Sequence, residues 1–186
     1  MAKRGKGIAL LSIGCVLILV AGVWFTFNII EDNKAGKQSA IILDKLNDVQ
    51  STVYDDNTEV AVIDGEKYCG KITLEKLGID LPVHHKWNYP RMKTAPCRYS
   101  GSLETNDLII VAHNYKSHFG SLNKAKIGDE VKFVDINGKT NLYEVCELQT
   151  IDGLAVDDMQ AGGWDLTLFT CNRSGKLRVT VRCKRK

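Results

Sequence analysis

The chain has 186 residues, enough for one globular domain and an additional segment. Its 25 basic and 22 acidic side chains leave a formal net charge of +3, too balanced to imply a nucleic-acid partner, and no basic stripe interleaved with aromatics is present. The small basic cluster Lys184, Arg185 and Lys186 reads as a solvated tail.

The N-terminus carries the strongest compositional signal. Lys3, Arg4 and Lys6 precede residues 8–30, a run without a charged side chain. At about 1.5 Å per residue, a helix of that length crosses a hydrocarbon core of about 30 Å. Glu31 and Asp32 open the far flank, so the charge asymmetry predicts the N-terminus inside and the rest outside. A cleaved signal peptide normally has a shorter apolar run and an A-x-A-like site, absent here. The segment before Cys15 is a poor lipoprotein cleavage site, because Ser12 stands where an apolar residue is wanted. The expected organisation is residues 1–7 inside, 8–30 as the transmembrane anchor, 31–66 as an outside helix and linker, and 67–186 as the functional domain.

Beyond the anchor, Ile41, Ile42, Leu46 and Val49 recur at helical spacing among charges and predict an amphipathic helix over roughly 36–50. Packing on the back of the domain is preferred to a partner-binding role. Residues 52–67 are polar and read as a linker. From Tyr68 the texture changes to short strands. CGKITLEKLGIDLPV gives two strands around a turn, and residues 107–112, DLIIVA, a continuous apolar strand. Residues 129–148 form a hairpin around Asn137-Gly138, a pair favoured in tight primed turns. WDLTLFTC and KLRVTVRC are two further strands separated by NRSG. Strands at this spacing with little helix between them predict a single, mostly antiparallel β-barrel.

The last two strands carry the chemistry. In the second, Leu177, Val179, Val181 and Cys183 alternate with Arg178, Thr180, Arg182 and Lys184, giving one apolar and one cationic face. Matching apolar positions places Leu168 opposite Val181, Leu166 opposite Cys183 and Cys171 opposite Arg178. A thiol and a guanidinium then meet at the mouth of the hairpin. Cys183 lies about 16 Å along the strand from Arg178, too far to form a disulfide with Cys171.

Six cysteines are present, at 15, 69, 97, 146, 171 and 183. With Cys15 in the span, an odd number stays outside, so at least one thiol remains free. No C-x-x-C occurs, which argues against a zinc ribbon. A cysteine nucleophile needs a base or an imidazolium. His113 directly follows the buried strand 107–112 and suits that place. His118 sits in a loop, and His84 and His85 in a polar segment. The spacing of His113, His118 and Cys171 forms no local metal-ligand pair, so neither metal nor cofactor is expected.

On these residues the chain resembles the sortases, the cysteine transpeptidases of Gram-positive cell surfaces. Thr167, Leu168, Thr170 and Cys171 meet the family signature T-L-x-T-C. Arg178 matches the arginine of the following strand, and His113 the histidine after an apolar strand. GKITL and DLPV match early family segments. The resemblance covers about residues 67–186. It implies a mostly β fold, a closed β-barrel of about eight strands with short helices, preceded here by the transmembrane helix. It implies that the Cys171 thiolate attacks a carbonyl in an L-P-x-T-G-like sorting signal of a surface protein and forms a thioester. His113 then gives a proton to the leaving amine. Arg178 holds substrate carbonyls or the oxyanion, assisted by Thr170, with Asn114 as a further substrate-binding candidate. The acyl group passes to an amine of a cell-wall precursor or a pilin lysine. The expected location is the cell membrane, single-pass, with the catalytic domain on the extracellular face.

Pilin-polymerising sortases often carry an Asp-Pro-aromatic lid. Here Pro82, Pro90 and Pro96 follow Leu, Tyr and Ala, and no second apolar span precedes Lys186. Both points favour anchoring to the cell wall over pilus assembly. Asp157 and Asp158 lie in the region where some sortases bind calcium, but two adjacent carboxylates without further ligands read as a solvated loop. The alternatives are a pilin-polymerising sortase, a hydrolytic cysteine peptidase with the same Cys-His-Arg set, and a non-enzymatic membrane-tethered binding module in which Cys171 is structural.

Overall fold

The computed structural model describes residues 2–50 and 60–186. Residues 51–59, the first part of the expected linker, and the side chains of Lys3, Arg4 and Lys6 lie outside the described set. The chain divides into two compact units, Met1–Lys34 and Ala35–Lys186. Helix α1 (Ala2–Gln50) covers both the apolar run and the amphipathic segment. In the first unit its large apolar side chains from Leu10 to Ile30 stand exposed. Among the described residues, this is the one helix long and apolar enough to cross a membrane. The hydroxyl of Thr26 in this stretch donates to the Gly22 carbonyl at 2.8 Å, which satisfies it within the helix.

The second unit is a closed barrel. Its strands are β1 (Ala61–Ile63), β2 (Glu66–Leu74), β3 (Ile79–His84), β4 (Cys97–Ser100), β5 (Leu108–Val111), β6 (Glu130–Asp135), β7 (Thr140–Asp152), β8 (Leu166–Cys171) and β9 (Leu177–Arg185). They run in the order β1-β2-β3-β4-β5-β8-β9-β7-β6, and the pairing of β2 with β6 closes eight of them into the barrel. β1 extends the sheet beyond β2. It falls in the stretch read as linker, where three residues are too few for a period-two pattern to stand out. Two pairings, β3–β4 and β5–β8, are parallel, so the barrel is less uniformly antiparallel than strand spacing implied. At the closure, Gly70 (φ 148°) sits so near β6 that a Cβ there would stand 2.3 Å from the Val134 carbonyl oxygen.

Period-two burial sorts the barrel into an inner and an outer apolar layer. Leu108, Ile110, Leu166, Leu168, Val181 and Cys183 face inward, with Ile72, Val83 and Phe133. Ile109, Val111, Ile151 and Phe169 face outward and are covered by Met92 of helix α2 (Tyr89–Met92) and Met159 of helix α3 (Val156–Gln160). This explains why β5 reads as an unbroken apolar run: both of its faces are covered. The amphipathic part of α1 packs on the domain, with Leu46 against Ala61, Ile63, Tyr68 and Ile136. The β6–β7 hairpin forms where Asn137-Gly138 placed it, but only Gly138 is left-handed (φ 81°). A primed turn needs both central residues there. Instead, Asp135 accepts the amides of Asn137 and Lys139 and closes a longer loop.

Candidate active site

The β8–β9 register is the one the alternation dictates: Leu168 pairs with Val181, Leu166 with Cys183 and Cys171 with Arg178. A slip of one residue would turn the inner leucines and valines out of the core. Cys171 therefore lies on the outer face with Phe169, at the end of its strand and half-buried. The parallel β5–β8 pairing runs from Leu108–Leu166 to Val111–Phe169. The Ala112 amide donates to the Phe169 carbonyl at 3.2 Å and so carries the pairing one residue further. His113 follows two residues after the end of β5, at the same end of the sheet as Cys171, the last residue of β8.

Each member of the site is held by identifiable contacts. The half-buried His113 ring stacks on Tyr115 (centroids 4.6 Å apart, planes at 23°) and meets the edge of Tyr89 at 5.3 Å. Asn114 follows it, also half-buried. Arg178 donates through Nη1 to the carbonyls of Gly175 (2.9 Å) and Leu177 (3.3 Å), and through Nη2 to that of Gly153 (3.4 Å). Three carbonyls thus fix the guanidinium at the hairpin mouth.

Thr170, the residue expected to assist the oxyanion, is tied to the backbone after β5. Its hydroxyl donates to the Ala112 carbonyl at 2.8 Å in a buried setting, so its single proton is already committed. Next to Cys171 in an extended strand, it also points to the opposite face. Arg182, on the cationic face of β9, is buried. It is 2 % exposed and donates to the carbonyls of Met159 and Asp158 (both 2.6 Å), to Thr167 Oγ1 (3.0 Å) and to Gln149 Oε1 (3.3 Å). Asp158 therefore serves α3 through its backbone, and Asp157 beside it lies in the same first turn. Among the described residues, no group of three or more His, Cys, Asp or Glu side chains is arranged to hold a metal ion.

His118 is fully buried rather than a loop-surface residue, and so is His84. Sequence reasoning gave no sign of the aromatic surround of His113, since Tyr89 and Tyr115 lie in polar stretches without an apolar period. The other four cysteines of the barrel domain are set apart from Cys171. Burial pushes the thiols of Cys69 and Cys97 up to about 12 and raises that of Cys183, and Cys146 is half-buried at a bulge of β7. All six cysteines are free thiols. A cavity of about 910 Å³ lies at the other end of the barrel, lined by Cys69, Arg98, Asp135 and Arg185 among others. It contains none of the residues of the cysteine site.

Beside the cysteine strand, Trp87 meets Tyr99 edge-on at 5.9 Å, and Tyr99 meets Phe169 at 5.3 Å, two residues before the cysteine.

Comparison with known proteins agrees with this arrangement. Residues 72–186 match the family model of the sortase domain. Sortase C1 from Streptococcus agalactiae is similar with a TM-score of 0.58 at 25% identity, over 77% of this chain and 76% of that one. Sortase C1 from Streptococcus suis gives 0.56 at 24% identity, over 64% and 73%. A sortase D5 transpeptidase from Clostridium perfringens gives 0.60 at 18% identity, over 83% and 99%, a likeness of fold alone. No curated protein matches the chain. With its closed barrel, its strand-end cysteine and a sortase-domain match over most of the barrel, the chain belongs to the sortase family of cysteine transpeptidases.

Proposed function

We propose that the protein is a membrane-anchored sortase that cleaves the C-terminal, L-P-x-T-G-like sorting signal of surface proteins and transfers the acyl group to an amine of the cell wall. The observation that carries this reading is the register that brings three strand ends together, with Cys171 opposite Arg178 and His113 following the strand parallel to β8. In this reading the Cys171 sulfur adds to the scissile carbonyl and the carbon–nitrogen bond breaks. His113 gives its proton to the departing amine. Arg178 stabilises the negative oxygen of the tetrahedral intermediate, a role suited to its fixed, permanently charged fork. Asn114 takes part in holding the peptide, and Thr170 supports the site through Ala112. The amine acceptor, entering with its lone pair, receives the acyl group and regenerates the thiol. No cofactor takes part. Residues 8–30 of α1 form the anchor, residues 1–7 lie inside, and the barrel stands on the extracellular face.

The exposed rings of Trp87 and Tyr89 near the cysteine strand suit the leucine and proline of such a signal. A pilin lysine is the alternative acceptor. The test is incubation of the full chain in micelles with a library of sorting-signal peptides, with and without cell-wall-type amines and lysine peptides. Mass analysis should find the acyl–amine product. Hydrolysed peptide as the sole product, whatever amine is added, would instead make the protein a peptidase. No cleavage of any peptide would return it to the binding-module class.

A further inference from the structure

The part of α1 beyond the apolar run packs into the domain that carries the site. Ala35, Ser39 and Leu46 are buried there, four and seven residues apart and so on one face. Two contacts of this face land on the loop that follows His113. Gly36 approaches it so closely that an added Cβ would stand 2.9 Å from the Cβ of Ser117. Ser39, 1 % exposed, donates its hydroxyl proton to the Thr94 carbonyl at 2.6 Å and lies 3.1 Å from Nε2 of His118. A serine has one proton to give, so the second bond is donated by His118 Nε2–H. Ser39 thereby fastens the β3–β4 connection and the 113–120 loop to one point of α1.

The contacts continue toward the site. His118 lies against Tyr115, ring centroids 5.5 Å apart, and Tyr115 stacks on His113 at 4.6 Å. The backbone holds Tyr115 as well: the amides of His118 and Gly120 both donate to its carbonyl. Gly120 permits this fold of the loop, since a Cβ there would stand 2.6 Å from that same oxygen.

We propose that Tyr115, backed by His118 and Ser39, is a positioning residue that sets the ring plane of His113, so that this part of α1 belongs to the active-site assembly. The inference rests on reading His113 as the proton donor. Rotation of an imidazole about χ2 meets only a broad, shallow preference, so neighbours must fix the plane. A stacked ring does so, and proton transfer requires hydrogen-bond reach. A displacement of about 1 Å at a reacting group costs on the order of a hundredfold in rate.

The experiment uses the full chain in micelles and the fastest-cleaved peptide of the sorting-signal library, with kcat, KM and Tm measured for Ser39→Ala, Tyr115→Leu, Tyr115→Phe and His113→Ala. Ser39→Ala and Tyr115→Leu should lower kcat by about tenfold or more with KM nearly unchanged and Tm still above the assay temperature. Tyr115→Phe, which keeps the ring, should recover most of what Tyr115→Leu loses, a recovery that a purely structural hydroxyl role does not produce. Should Ser39→Ala fail to fold, the two Tyr115 variants decide. Unchanged kcat in Tyr115→Leu, or a loss that Tyr115→Phe shares in full, overturns the inference while an inactive His113→Ala leaves the site reading standing. An active His113→Ala overturns both.

Discussion

Thr170 donates its hydroxyl proton to the carbonyl oxygen of Ala112, 2.8 Å away, and so ties the strand bearing the cysteine to the residue just before His113. The bond is buried, and Thr170 is 2 % exposed. Replacing the hydroxyl by a methyl keeps the volume but leaves the Ala112 carbonyl short of a partner, a loss of about 1–3 kcal/mol.

Thr170→Val is therefore expected to lose stability on that scale and to lower kcat, because the spacing of His113 from Cys171 is no longer fixed. Thr170→Ser keeps the donor and should restore most of both. Urea unfolding alongside steady-state kinetics makes the comparison. A Thr170→Val chain with full stability and a large loss of kcat would instead favour direct oxyanion assistance by the hydroxyl.

How much of this was legible in the sequence depended on what each residue faces. The β8–β9 register could be read because Leu166, Leu168, Val181 and Cys183 must all face one core, which leaves one alignment. From it followed the meeting of Cys171 and Arg178. The burial of Arg182 could not be read that way. Its cover is α3, a five-residue helix in a polar stretch, and two of the four atoms that receive the guanidinium are backbone carbonyls, which have no sequence signature. The stack of Tyr115 on His113 arises from a loop path set by contacts with α1 and by Gly120, again invisible to periodicity. β1 was hidden for a plainer reason, a length of three residues.

Thiol chemistry should single out Cys171. Cys69 and Cys97 are held up to about 12 by burial, and Cys183 is raised by the same cause, so all three remain neutral and inert at pH 7.5. Cys146 is half-buried and away from the site, which makes it the internal reference. Iodoacetamide followed by peptide mass mapping should label Cys171 well before Cys146, and the three buried thiols only after unfolding. Equal rates for Cys171 and Cys146 would mean that the site does not activate its thiol.

His84 gives the fold a pH dependence below neutrality. It stacks on Tyr68 at 4.4 Å and lies 2.9 Å from Thr94 Oγ1. That hydroxyl gives its own proton to the Arg91 carbonyl, so His84 Nε2–H donates to it. Burial lowers its pKa to about 4, with Glu66 opposing the shift and Arg91 adding to it. The unfolded chain, titrating near 6.5, binds the proton first as pH falls. Stability from this group is fully present above about 6.5 and lost as pH falls toward 4, a change of about 3 kcal/mol. Unfolding free energy measured at pH 7 and pH 4.5 should fall accordingly, and His84→Gln, which keeps a donor but does not titrate, should flatten the slope. An unaltered slope in His84→Gln would assign the acid sensitivity elsewhere.

Arg178 and Arg182 lie on one face of β9, four residues apart, and the structure gives them different work. Arg178 stands level with Cys171, its fork held by the carbonyls of Gly175, Leu177 and Gly153. Arg182 is level with Thr167, about 13 Å back along the strand, and binds only internal acceptors. In the proposed mechanism the oxyanion of the tetrahedral intermediate forms next to the sulfur, which assigns its stabilisation to Arg178 and not to Arg182. Arg178→Ala should lower kcat/KM by a factor of about 100–1000, the scale of one oxyanion donor, with stability nearly unchanged. Arg178→Lys should recover little, because one ammonium cannot grip the loop carbonyls and the substrate together. Gly153→Ala offers an independent approach: its Cβ would stand 3.0 Å from Nη1 and 2.6 Å from the Lys176 carbonyl, so the loop and the guanidinium must shift, and kcat/KM should fall without any change in the arginine itself. Arg182→Ala should behave differently. It strands the carbonyls that tie α3 to the barrel and should cost about 3 kcal/mol of stability. Molecules that remain folded should still turn over. The check is kcat/KM normalised to the folded fraction, with guanidinium unfolding run on each variant. A folded, fully stable Arg182→Ala as inactive as Arg178→Ala would leave the oxyanion role unassigned.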